Sequence, residues 1–174
     1  MNAPRAAFDA YQRVLTSYAG ALHTVRKTSG GDVVSTFDVP YDAASGLMDS
    51  VARAAFVGAQ SWAWTRLHDQ AAGGRHITQG TTGNQPDGGI TGTQFSLNGR
   101  AAADFIPAGS HRLSRADALG LSGGVALTMF AEIKADTLAA VRFPCGLGNS
   151  GVARNDFSVG FVDPTIIFIT IGGS

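Results

Sequence analysis

The chain has 174 residues, of which 44% are hydrophobic and 15% charged, and its formal net charge is +0. The length suits one domain with a small appendage, and the neutral balance offers a polyanion nothing to bind globally, which argues against nucleic acid as a partner. A single cysteine, Cys145, excludes an internal disulfide and a cysteine zinc cluster.

The charged fraction is below the ~25% of an ordinary domain, and the 23 glycines exceed the usual ~7%. With many Thr, Ser and Val, this composition favours a loop-rich β protein. The opening MNAPRAAFDAYQ has no charged segment followed by an apolar one, so no signal peptide is expected. The longest apolar run, from Thr165 to Ile171, is too short to cross a bilayer, so no membrane insertion is expected.

Near the N-terminus Phe8, Tyr11, Leu15 and Tyr18 recur at helical spacing, with Val14 beside them, and predict a short amphipathic helix ended by Gly20. Residues 21–28 read as a strand, Ser29-Gly30-Gly31-Asp32 as a turn, and 33–39 as the returning strand of a hairpin. Leu47, Met48, Val51, Ala55 and Phe56 predict a second helix, with Ser45 as a candidate cap and Gly58 as its stop.

The next stretch, WAWTRLHDQAAGGRHITQ, organises the rest. Trp62, Trp64 and Arg66 alternate with Ala63, Thr65 and Leu67, the period of a strand. That strand delivers His68, Asp69 and Gln70 into a small-residue turn, after which come Arg75, His76 and a second extended piece, 77–79. Residues 80–94 are dense in turn formers and mark an internal boundary. Two parts are expected: a helix and strand segment over 1–80, and a β-sandwich over 81–174. In the second part Asn98-Gly99 predicts a tight hairpin turn, and strands are expected over 125–135, 138–147, 157–162 and 165–171.

The order of these pieces resembles a bacterial and bacteriophage family with a concanavalin-like, laminin-G-like jelly roll. The pieces are Trp64 to Gln79, Asn84-Gln85-Pro86, the run from Asn98 to Phe105, and that from Leu127 to Lys134. The preceding segments, RVLTSYAGALHTVRKTSGGD and GLMDSVARAAFVG, are similar to those of phage and prophage proteins and of the fungal α-L-arabinofuranosidase catalytic domain. The chain departs from the pattern at His68, Ala71 and Ala101. The resemblance implies a mainly β, antiparallel jelly-roll sandwich with two short N-terminal helices.

It also frames the function. The first reading is a non-enzymatic virion protein, such as a fibre, spike or decoration subunit, made in a host cytoplasm. Its partners would be further copies of itself or other virion proteins, and a cell-surface polysaccharide. The candidate sugar-binding residues are Trp62, Trp64, His68, Asp69, Gln70, Arg75 and His76: planar polar groups for hydroxyls, and indoles for ring stacking. The alternative for Asp69 and Gln70 is bonding to the backbone of their own turn, and for the indoles it is the core. No cofactor and no metal are expected, because the histidines lack a third ligand and no loop has dense acidic spacing. The second reading is a glycoside hydrolase of arabinofuranosidase type, which requires two carboxylates. Asp69, Asp104, Glu132 and Asp156 are available, although the arabinofuranosidase resemblance places its catalytic acids downstream of the matched region. A third reading is a module that only joins subunits.

Overall fold

The computed structural model describes residues 7–31, 34–71, 73–115, 142–147, 157–163 and 166–171. The chain divides into two units, Met1–Gly120 and Leu121–Ser174. The turn-rich 80–94 segment therefore lies within the first unit.

The first unit is built on an antiparallel sheet. β1 (His23–Lys27) pairs with β2 (Thr36–Val39) as the predicted hairpin, and its other edge pairs with β3 (Trp62–Leu67). The far edge of β3 is shared. Its C-terminal end pairs with β4 (Ile77–Thr78), and its N-terminal end with β5 (Asp87–Ile90), which continues to β6 (Thr93–Gln94). A separate small hairpin joins β7 (Ser96–Leu97) to β8 (Arg100–Ala101). Asn98 and Gly99 form its turn at φ 47° and 78°, the left-handed values that a two-residue hairpin turn demands. In the second unit, β9 (Arg142–Leu147), β10 (Phe157–Asp163) and β11 (Ile166–Ile171) form an antiparallel meander in the order β11-β10-β9. The fold is mainly β, as expected. The strand expected over 125–135 lies outside the described residues.

The helix expected over 47–56 is α1, Ser50–Val57. Its cap is Asp49 rather than Ser45: the Asp49 carboxylate accepts the Ala52 N–H at 2.8 Å, satisfying one of the free donors of the first turn. Ser45 instead donates to Asp42 in the preceding turn. Gly58 ends the helix at φ 56°, donating its N–H to the Ala54 carbonyl.

The N-terminal helix expected over 8–18 is absent: residues 7–20 are irregular. Their backbone groups are bonded elsewhere, which leaves too few for a helical ladder. Asp9 Oδ1 accepts the N–H groups of Tyr11 and Gln12. Arg13 N–H donates to the Gly46 carbonyl, and Met48 N–H to the Tyr11 carbonyl. Of the apolar stripe, Tyr11 packs against the core, whereas Val14 is exposed.

That core lies on one face of the sheet. Leu22, Val25, Val39, Met48, Val57, Trp62 and Trp64 are its buried members, flanked by Phe37, Tyr41 and Phe56. Phe37 of β2 stacks on Phe56 of α1 at 5.2 Å, which seats the helix. β5 runs through sequence that reads as a loop because of Gly88-Gly89. The reason is Trp62: a Cβ at Gly88 would overlap its six-membered ring. Glycine here makes room for an indole lying on the neighbouring strand, a close approach that glycine in a strand commonly marks.

Candidate functional site

Trp62 and Trp64 are 1% and 2% exposed, so they are core residues and not a platform for a sugar ring. Trp64 packs against His23 with the rings tilted and their centroids 4.2 Å apart, and Arg53 lies over Trp62 at 4.9 Å. His23 is also fully buried, with Nδ1 held by the Ala10 carbonyl at 3.0 Å. Burial, and after it the Arg53 charge, push its pKa down to about 3, partly opposed by that carbonyl.

Asp69 is 2% exposed and spent on backbone. Oδ1 accepts the N–H groups of Ala7 and Ala71, both at 2.9 Å, and Oδ2 accepts that of Arg75 at 2.9 Å. Gln70 is buried too. Its Oε1 accepts the Val14 N–H at 2.8 Å, and its Nε2 donates to the Gln12 carbonyl at 2.9 Å and to the Asp9 carbonyl. The aspartate-glutamine elbow is therefore a clamp that ties the N-terminal segment and its own turn to the end of β3. Arg75 is half-buried, its backbone held by Asp69.

His68 and His76 do come together, with ring centroids 4.8 Å apart. His76 Nδ1 accepts the Asp69 N–H at 3.1 Å. His68 Nε2 lies 2.8 Å from Thr24 Oγ1, which donates to Asp38 Oδ1 at 2.5 Å, and 3.6 Å from Asp38 Oδ1 itself. Hydroxyl and carboxylate meet the same ring nitrogen, so this is not a nucleophile-base-acid relay, which needs them on opposite nitrogens. Burial lowers the pKa of both imidazoles, and each also feels the Arg66 charge; Asp38 works against the shift at both.

These contacts locate the polar face of the sheet, opposite the indoles. Directly opposed residues in an antiparallel sheet share a face. One such row runs Asp38, Thr24, Arg66, Thr78 across β2, β1, β3 and β4. The next runs Thr36, Arg26, Ala63, Asp87 across β2, β1, β3 and β5, and Asp104 bridges to Asp87. Arg26 Nε donates to Gln85 Oε1 at 2.8 Å, and Gln85 Nε2 to the Gln79 carbonyl, so Gln85 of the Asn-Gln-Pro piece is a brace for this face.

Simple alternation puts Arg66 with the tryptophans. The sheet does otherwise: Thr24 opposes Arg66 while its neighbour Val25 opposes Trp64. Thr65 is thus the extra residue of a bulge, which turns Arg66 to the other face. Asp38, Thr24, Arg26, Arg66 and Asp87 are not among the sugar-binding candidates that the sequence singles out. The signal available for three of them was the alternation of Thr24 and Arg26 in β1 against Thr36 and Asp38 in β2.

Asp87 and Asp104 exchange both backbone hydrogen bonds, at 3.0 and 2.7 Å. Such a pair has Cα atoms about 5.5 Å apart and side chains on one face. Burial raises the Asp87 pKa, and Asp104 adds to the rise against an opposing effect of His111. Glu132 and Asp156 lie outside the described residues. Among the described residues no group of three His, Cys, Asp or Glu could hold a metal ion, and no helix is long and apolar enough to cross a membrane.

The family model described as α-L-arabinofuranosidase B, catalytic, matches residues 2–114. Two solved structures illustrate the likeness. A GH54 α-L-arabinofuranosidase mutant soaked with 4-nitrophenyl α-L-arabinofuranoside is 24% identical over 48% of this chain and 19% of its own, with a TM-score of 0.41. An arabinofuranosidase complexed with arabinofuranosyl-α-1,2-xylobiose is 26% identical over 51% of this chain and 18% of its own, with a TM-score of 0.39. The chain thus spans less than a fifth of the length of these two proteins. Comparison with curated proteins gives no match.

Proposed function

The chain belongs to the α-L-arabinofuranosidase B catalytic family, and on that premise we propose that it acts on glycosides of L-arabinofuranose as a glycoside hydrolase domain. The observation that carries this reading is the family match over residues 2–114, which takes in the whole polar face of the first unit. It replaces the non-enzymatic virion subunit as the leading interpretation. A complete jelly-roll sandwich belongs to the same proposal.

Glycoside hydrolysis needs one carboxylic acid to protonate the leaving oxygen and a second carboxylate as nucleophile or base. The resemblance puts the family's catalytic acids downstream of the matched residues; within the described residues of this chain, Asp87 and Asp104 are the carboxylates that the backbone sets side by side, and they are proposed on that geometry alone. Asp87, whose carboxyl pKa burial raises, suits the acid role, with the exposed Asp104 beside it as the second carboxylate.

The test is release of 4-nitrophenol from 4-nitrophenyl α-L-arabinofuranoside by the full chain, alongside the Asp87→Asn and Asp104→Asn variants. Turnover that either variant abolishes supports the reading and the assignment. Turnover untouched by both keeps the reading and removes these two residues from it. Absence of turnover with sugar binding retained favours the other reading: a displayed coat subunit of a phage-like particle whose partners are further copies of the chain and a surface polysaccharide.

A further inference from the structure

We infer that Asp38, Thr24, Arg66 and His68 form a binding site for one unit of a neutral sugar on the polar face of the six-stranded sheet. The inference rests on the glycoside reading for its ligand class. Its location rests only on the geometry of the sheet.

Neighbouring strands lie about 4.8 Å apart, so Asp38 and Arg66 stand roughly 10 Å from one another with Thr24 between them. That spacing is about the width of a single sugar ring with its hydroxyls. The carboxylate is oriented before any ligand arrives. Thr24 Oγ1 holds Asp38 Oδ1 at 2.5 Å, and His68 Nε2 stands 3.6 Å from the same oxygen. The side chain is nevertheless 60% exposed, and among the described residues Oδ2 has no partner. An anchored carboxylate with one open oxygen is a strong acceptor for hydroxyl donors. Arg66 is exposed opposite it and offers donors to the ring oxygen or to a hydroxyl acceptor. Thr24 forms the floor, 7% exposed, and His68 and His76 close one end.

The charges of Asp38 and Arg66 agree with that ligand class. Asp38 and Arg66 put one anionic and one cationic side chain on the two sides of the floor, so a net charge on the ligand would gain at one wall what it loses at the other. A neutral polyol satisfies both, and it leaves neither charge stripped of water without a partner. The site differs from the Asp87 and Asp104 pair: it lies on a different row of the ladder, toward β4 rather than β5.

The experiment is a backbone-amide NMR titration of the full chain with arabinofuranosyl-α-1,2-xylobiose and, in parallel, with glucuronic acid. Asp38→Asn and Arg66→Gln are the variants, both at exposed positions, where substitutions usually change stability little. The expected result is shift changes at residues 24, 38, 66 and 78, with no response to the acidic sugar. Each variant should weaken binding about tenfold, the loss of one hydrogen bond to a charged group, at unchanged melting temperature. Shifts confined to residues 87 and 104, or wild-type affinity in both variants, would overturn the site while leaving the hydrolase reading in place. Mapped binding without nitrophenol release would sustain the site and sink the hydrolase reading. No shifts with either sugar, or tighter binding of glucuronic acid, would overturn the inference outright.

Discussion

On one face of β1 and β3 stand His23, Val25, Trp62 and Trp64, none more than 2% exposed. On the other stand Thr24, Arg26, Ala63 and Arg66, which line up with Asp38 and Asp87 on the neighbouring strands. The first face takes up the aromatic and histidine chemistry that a reader would assign to a ligand, and uses it to pack α1 and the N-terminal segment. The second face carries ordinary strand residues and leaves a carboxylate and a guanidinium in the open. Residue type is thus a poor guide to role here; the partner of each polar atom decides it.

The sharpest way to break this comparison is Trp62→Ala. If the indole were a sugar platform, the variant would fold and lose only affinity. As a core residue it should cost about 3–5 kcal/mol of stability, the range for an aromatic deleted from a packed interior, read from the urea midpoint. A stable variant would reassign the two faces.

Acid comes next. His23 has its pKa held near 3 in the native state against an ordinary 6.5, so the unfolded chain takes up the proton first as pH falls. Stability is fully present above pH 6.5 and falls below it, by up to about 1.4 kcal/mol per pH unit until the native pKa is reached. His68 and His76, also lowered, add to the same trend. Urea midpoints at pH 7, 6, 5 and 4 should therefore decline, and His23→Asn should flatten the decline. A pH-independent midpoint would contradict a neutral, buried His23.

Gly88→Ala sharpens the same comparison from β5. The new methyl must displace the Trp62 ring, at a cost of about 1–3 kcal/mol for overpacking. Thermal melts would register it, and near-ultraviolet dichroism would show the indole moving.

The sequence made the β1–β2 hairpin, α1 and β3 legible because their apolar spacing is regular and their turns carry Gly or Asp. It hid β5, because glycine reads as a turn unless the ring of Trp62 is known to lie across it. It suggested a helix at Phe8 to Tyr18 because periodicity registers side chains only. Asp9 and Gln70 had already claimed the backbone groups that a helix needs. The candidate site was half legible. His68 and His76 stand out in the sequence and do meet, whereas simple alternation puts Arg66 on the wrong face because one extra residue, Thr65, inverts it. Asp38 does not stand out because its value lies in the strands beside it, and pairing register is not written in any single segment.

The most direct measurement compares Asp69→Asn with Asp38→Asn in one set of urea unfolding curves and sugar titrations. Asp69 Oδ2 and Oδ1 serve backbone donors, and an amide NH2 in place of one oxygen faces an N–H, so Asp69→Asn should lose about 1–3 kcal/mol of stability. Asp38→Asn, at a 60% exposed side chain, should stay within about 0.5 kcal/mol and lose sugar affinity instead. The reverse pattern, with Asp69→Asn stable but unable to bind and Asp38→Asn unstable but binding, would contradict the division of the sheet into a packed face and an open one.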